Sequence, residues 1–294
     1  MKRNFTKGII FLIILLFFSG PSFSTEEGPA VWLFSAQPER YFPAFLEIHL
    51  NRIFSSSQLQ VINLYSKQLS ELEKKLNSKM SLARIIILMD FSEELANDFF
   101  QKCENIEFYE KPFLIIWNCN LINLPHYFHL IPIVINWELV LKDLQTILYG
   151  YQSPVFILHN NESYMKDFVK FLKSHPQNQF MFHDIKLYQS TSSQDVYFAS
   201  CDDIMKEYLS FSKNIICFES STLTLAEIQA GHILASIDFK PSQLANQISD
   251  LFSKKDNKSN LILTPLVILP ESLAEADAYE VLRRCFMCGN DQSQ

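Results

Sequence analysis

The chain has 294 residues, with 25 Lys and Arg against 32 Asp and Glu, a net charge of −7 and 48% hydrophobic residues. An acidic chain of this kind lacks the basic footprint that nucleic acid or anionic lipid requires. Its apolar fraction is enough for a large core, and its length suggests two lobes. At the N-terminus Lys2, Arg3 and Lys7 precede an unbroken apolar run from Ile9 to Phe18, and Ser22 and Ser24 then place small residues ahead of Glu26 and Glu27. That order reads as a secretory signal peptide cleaved after Ser24, because ten helical residues cannot cross a hydrocarbon core of about 30 Å. An uncleaved anchor is the other reading of the segment. With no cysteine near the cleavage site, a lipid anchor is not expected. Cleavage removes three cations and no anion, which moves the net charge from −7 to −10. The expected location is the periplasm.

Beyond the signal, short apolar runs alternate with helical patterns. "VWLFSA" (31–36) reads as a buried strand and "RYFPAFLEIHLNRIF" (40–54) as an amphipathic helix. "LQVINLYS" (59–66) is strand-like, and the charged run 68–78 follows as a helix. "ARIIILMD" (83–90) is the next strand, then a helix over 92–103 with Ser92 as its N-cap, then the strand "PFLIIWNC" (112–119). Apolar strands alternating with helices predict a parallel sheet covered on both faces. The rhythm breaks at 120–132, which carries two prolines and suits a crossover between lobes.

A second set follows: a helix over 137–148, strand 154–160, helix 163–175, strands 180–189 and 195–200, helix 202–211 and strand 214–220. Late in the chain, Ile233, Ala235, Ile237 and Phe239 alternate with His232, Leu234, Ser236 and Asp238, the period of a strand. Leu244, Ile248, Leu251 and Phe252 mark one face of a helix that has Pro241 in its first turn. This strand and helix could carry the chain back to the first lobe, and 260–270 could return it. The expected fold is α/β, with two tandem lobes of parallel sheet flanked by helices. Residues 25–124 and 238–262 form lobe 1, and residues 125–237 and 263–294 form lobe 2.

The stretch "NIICFESSTLTLAEIQAGHILASIDFKPSQLANQISDLF" (214–252) resembles the late signature of the ABC-type transporter substrate-binding proteins with the type I periplasmic-binding fold. The matching residues are Glu219, Ala230-Gly231, Leu234-Ala235-Ser236, Asp238-Phe239 and Leu244-Ala245. Weaker matches run through 155–172 and 196–203, and the order of strands and helices agrees along most of the mature chain. The resemblance implies hinge crossovers and capture of a small polar or amphipathic molecule between the lobes. It also implies delivery to an ABC permease in the inner membrane by a monomer without a cofactor. Three departures stand out. "STSSQ" (190–194) replaces a helix the family usually has, Ala245 replaces a glycine, and the C-terminal helix lacks a common Asn. A trimmed second lobe leaves open an alternative, a degenerate binding-fold protein acting as an envelope sensor or interaction module.

Ligands of open α/β sheets bind at the carboxyl ends of the strands. Those ends place Ser35, Gln37, Asp90, Ser92, Asn118, Asn120, His159, Asn160, Asp202 and Glu219 as candidate ligand-binding residues, drawn from both lobes. Turns are polar in any case, so any single one of these could be a turn residue only. Trp117 and Trp137 could stack on a ligand or pack in the core. With no G-x-G-x-x-G, P-loop or G-x-S-x-G sequence, no enzymatic or catalytic residue is expected. His126 and His129 lack the carboxylate or thiol partners of a metal site and read as loop and packing residues. Cys285 and Cys288 form a C-x-x-C at a helix C-terminus, where the dipole disfavours a thiolate. A structural disulfide or two inert thiols therefore fits better than a thiol oxidoreductase.

Overall fold

A computed structural model describes residues 28–64, 78–119, 124–149, 163–174, 214–254, 259–279 and 281, together with the strands over 155–159, 180–184 and 196–200. The signal segment, most of the helix expected over 68–78, the helix expected over 202–211, and Asn120, Asn160, Cys201, Asp202, Cys285 and Cys288 lie outside them.

The first sheet holds β1 (Val31–Ser35), β2 (Leu59–Asn63), β3 (Ile85–Met89), β4 (Phe113–Trp117) and β5 (His129–Ile131), all parallel, in the order β2-β1-β3-β4-β5. β1 and β3 are buried at every position, as unbroken apolar runs become when helices cover both faces. Helix α1 (Tyr41–Ile53) buries Tyr41, Phe42, Leu46 and Leu50, and it tolerates Pro43 because the first turn has no amide to lose. Helix α2 (Glu93–Cys103) starts at Ser92, whose hydroxyl accepts from the Leu95 amide, and it buries Ala96, Phe99, Phe100 and Cys103 on the other face of the sheet.

The chain then leaves the first sheet through β6 (Ile133–Ile135), which pairs in parallel with the late strand β12 (Leu261–Leu263) in a two-stranded ribbon. Helix α3 (Trp137–Leu148) leads into the second sheet. This sheet is built from β7 (Val155–His159), β8 (Phe180–Asp184), β9 (Val196–Ser200), β10 (Ile215–Phe218), β11 (Ala235–Asp238) and β13 (Leu266–Ile268), in the order β13-β11-β10-β9-β7-β8. Helix α4 (Ser163–Ser174) follows β7, and α5 (Thr222–Gln229) joins β10 to β11. From β11 the chain passes into α6 (Pro241–Lys254), which packs along α1 on the first sheet, and β13 returns it to the second.

Taken in chain order, the first sheet has the order 2-1-3-4-5 and the second 2-1-3-4-5-6, with switch points at β1/β3 and β7/β9 where the crossovers reverse direction. The second sheet is not wholly parallel, because β13 runs antiparallel to β11 at its edge. β5, β6 and α5 are among the elements that were not expected from the sequence. β5 and β6 lie in the stretch around 120–135 read as a crossover or left unassigned, and α5 occupies 222–229. Gly231, at φ 73°, closes α5 with paired bonds from the Gly231 amide to the Ile228 carbonyl and from His232 to Glu227, a Schellman stop that suits glycine.

Candidate functional site

The carboxyl ends of the two sheets meet. Three of the expected site residues, Asp90, Asn118 and Glu219, directly follow β3, β4 and β10 and take left-handed backbone conformations, with φ of 56°, 51° and 71°. Asn and Asp visit this region more readily than Glu, the cost for an L-residue is about 1–2 kcal/mol, and such residues concentrate at ligand sites. The two acids are placed alike. The Asp90 amide donates to the Trp117 carbonyl of the next strand, and the Glu219 amide donates to the Ile237 carbonyl.

Asn118 is the link between the sheets. Its Nδ2 donates to Asp90 Oδ1 at 2.6 Å, while its Oδ1 accepts from the Ser163 amide at 2.8 Å and from Ser163 Oγ at 3.2 Å. Arg40, at the start of α1, also reaches Asp90 Oδ1 at 3.3 Å. A residue after β4 thereby holds both the buried acid after β3 and the first turn of α4, which follows β7.

The other expected residues are placed as follows. Ser35 ends β1 and is buried, and its Oγ has no hydrogen-bond partner among the described residues. Gln37 is exposed. Ser92 is also exposed, with its hydroxyl engaged as the cap of α2. His159 ends β7.

Between these strand ends lies a seam of aromatic rings. Phe42 stacks on Trp117 with centroids 4.0 Å apart, and Trp117 stacks on Tyr164 at 5.9 Å. Phe239 meets Trp117 at 5.3 Å and Tyr164 at 5.0 Å, and lies 6.5 Å from Phe218 in the second sheet. All five rings are buried, and one apolar core runs without a break from β1 to β10. Uncovering half of four such rings would expose about 400 Å², worth about 10 kcal/mol, comparable to the stability of a whole domain. Both Trp117 and Trp137, 4% and 6% exposed, therefore pack in this core.

Beside the seam sits a knot of polar groups that the candidate set lacks. Asp238, fully buried at the end of β11, accepts from the Tyr41 hydroxyl at 2.7 Å and from the Lys240 and Asp277 amides at 2.9 Å each. Asp277 accepts from the Ser242 amide at 2.7 Å and so caps the start of α6. His49 and Lys240 approach Asp277 at 3.5 and 3.4 Å. Burial, reinforced by Asp277, pushes the Asp238 carboxyl above the usual carboxylate range, against Lys240 and the two amides that favour its charge. Burial, and then the nearby carboxylates, push the Tyr41 hydroxyl up as well, which keeps it a donor. The sequence signal for this knot is an acidic residue inside an otherwise apolar strand, "SIDF".

A cavity of about 270 Å³ opens where β4, β6 and α4 come together. Trp117, Tyr164, Ile133 and Ile135 form its walls, with Asn118, Ser163 and Asp167 as polar groups. A larger space of about 540 Å³ lies between α2 and residues 124–127, away from the carboxyl ends of the strands, so the smaller cavity is the better candidate. Among the described residues no group of three His, Cys, Asp or Glu is placed to hold a metal, and no helix is long and apolar enough to cross a membrane. His129 lies in β5 with its ring 5.8 Å from that of Phe113, and Cys103 and Cys119 are free thiols.

No protein-family model and no curated protein matches the chain. Among solved structures it is similar to a Caulobacter myo-inositol binding protein bound to myo-inositol, at 15% identity and TM-score 0.57, covering 84% of this chain and 95% of that one. It is also similar to an ABC transporter periplasmic solute binding protein from Actinobacillus succinogenes with bound D-allose, at 15% identity and TM-score 0.59, covering 84% and 99%. A carbohydrate transporter solute binding protein from Agrobacterium radiobacter in complex with D-arabinose matches at 11% identity and TM-score 0.56, covering 87% and 98%. By its strand order and by these likenesses, the chain has the fold of the type I periplasmic binding proteins.

Proposed function

We propose that the protein is an exported solute-binding protein that captures a small polar or amphipathic molecule between its lobes and delivers it to an ABC permease. The observation that carries this reading is the placement of Asp90, Asn118 and Glu219 in strained left-handed conformations at strand ends of both sheets, with Asn118 tying one sheet to the other. Similar proteins that bind inositol, allose and arabinose support a solute-binding role. In this reading residues 25–124 and 238–262 make one lobe, the rest of the mature chain makes the other, and the signal is cleaved after Ser24. The aromatic seam limits any opening to a small excursion, because the rings it would uncover cost about as much as a micromolar ligand supplies.

The test is a thermal-shift screen of neutral and charged small metabolites on the purified mature protein, followed by calorimetry. At least one solute should raise the melting temperature. Asn118→Ala should then weaken its binding about ten- to a hundred-fold, as loss of a charge-assisted hydrogen-bond network predicts. A screen with no binder, or a binder indifferent to Asn118, would overturn the assignment. Mass spectrometry of protein from the envelope fraction should find Thr25 at the N-terminus.

A further inference from the structure

The polar groups around the 270 Å³ cavity differ in what they have left to offer. Asn118 gives one Nδ2 proton to Asp90 and its Oδ1 to Ser163, which leaves one N–H to offer. The Ser163 hydroxyl donates to Asn118, which leaves its lone pairs free to accept. The Tyr164 hydroxyl is buried and has no hydrogen-bond partner among the described residues. Asp167 stands one turn into α4 at the cavity's exposed side, with no hydrogen bond or ion pair to its carboxylate among the described residues. Partial burial raises its pKa, and Lys170 opposes the shift. What remains around the cavity is therefore the Ser163 lone pairs, the Tyr164 hydroxyl, one Asn118 N–H and an unpaired carboxylate, set against Ile133 and Ile135 and two aromatic residues, Trp117 and Tyr164.

A neutral polyol or sugar brings no opposite charge to the Asp167 carboxylate. A protonated amine only donates. Its charge suits a carboxylate, and aromatic lining favours ammonium groups further. The seam also closes the direct path between the strand ends, whereas this cavity opens at its edge.

We infer that the solute is a compact amphipathic amine, seated in the cavity beside the seam with its ammonium group on Asp167 and Ser163 and its apolar body against Ile133 and Ile135. The inference rests on the solute-binding reading above and narrows it to a ligand class and a seat.

The probes are 2-phenylethylamine, its neutral isostere 2-phenylethanol, and myo-inositol and D-allose as polyhydroxylated controls, each titrated calorimetrically into the mature protein near neutral pH. The amine should bind at least tenfold more tightly than the alcohol. Asp167→Asn should remove that preference, and Asp167→Lys should shift the preference to phenylacetate. Asp167 is exposed on a helix, so both variants should fold, and circular dichroism checks that. Binding of myo-inositol or D-allose with no response to the amine would overturn the amine class and leave the solute-binding reading standing. Amine binding unaffected by either Asp167 variant would overturn the seat. Binding of none of the four probes would overturn the amine class, while the wider metabolite screen decides the solute-binding reading independently.

Discussion

Asn118 holds φ 51° while making three hydrogen bonds, so its substitutions separate backbone strain from side-chain bonding. Asn118→Ala loses the bonds and keeps the left-handed strain, and should cost about 1–3 kcal/mol. Asn118→Gly loses the same bonds but relieves the strain, so it should be less destabilised by about 1 kcal/mol. Urea midpoints measure both, and equal midpoints would mean that the conformation stores no strain. Asp238 gives a pH signature. Its carboxyl titrates above the usual range in the folded protein because burial penalises its charge. Between the unfolded and folded pKa values the folded state holds more protons, so this group's contribution to stability is fullest in acid and falls as pH rises. His49, lowered chiefly by burial, acts in the opposite sense: the unfolded state takes its proton first, and stability falls as the pH drops below about 6.5. Across about pH 4 to 7, the stability of the wild type relative to Asp238→Asn should fall as pH rises. A difference that does not vary with pH would show that Asp238 does not titrate in that range.

At the scale of elements, Ser92 shows how the same residue supports two readings in sequence. It follows a strand, as a ligand group would, and it precedes a helix, as a cap would. In the fold its hydroxyl serves the Leu95 amide. Ser92→Ala should therefore cost about 0.5–2 kcal/mol in unfolding free energy with no change in solute affinity. An affinity loss beyond the stability effect would return Ser92 to the site. The helix over 137–148 was legible to its bounds, and the one over 241–254 by its apolar face and by Pro241 in its first turn. Helix α5 was not, because "TLTLAEIQ" is short and mixes its four apolar residues with Thr, Glu and Gln without a clear face. β5 and β6 are three residues each, too short for periodicity to register, and they exist because a neighbouring strand supplies their hydrogen bonds. The alternation over 233–239 gave a strand but not its surroundings. Ser236 and Asp238 look solvent-facing in sequence, yet β11 lies between two other strands and is buried on both faces.

For the whole molecule, the shared core predicts that the two sheets unfold together. Calorimetry should show one transition with equal calorimetric and van 't Hoff enthalpies, whereas two resolved transitions would mean the seam is not a common core. Phe239 sits where Trp117, Tyr164, Trp137 and Phe218 converge, and Phe239→Ala should cost about 3–5 kcal/mol. That loss should loosen one sheet from the other, seen as faster hydrogen exchange in both α1 and α4.

The order of strands and helices, the α/β class and the polar character of the strand ends follow from the sequence by itself, because burial of apolar runs and the turns that separate them are local properties. Asp90, Asn118 and Glu219 were legible for that reason. The Asp238 knot, the bridge from Asn118 to Ser163, the aromatic seam and the cavity beside Asp167 were decided only by tertiary structure. Each joins residues from different strands and helices, up to 197 positions apart for Tyr41 and Asp238. Which side chains meet at such distances depends on the crossovers that fold one sheet onto the other, and no local pattern encodes that geometry.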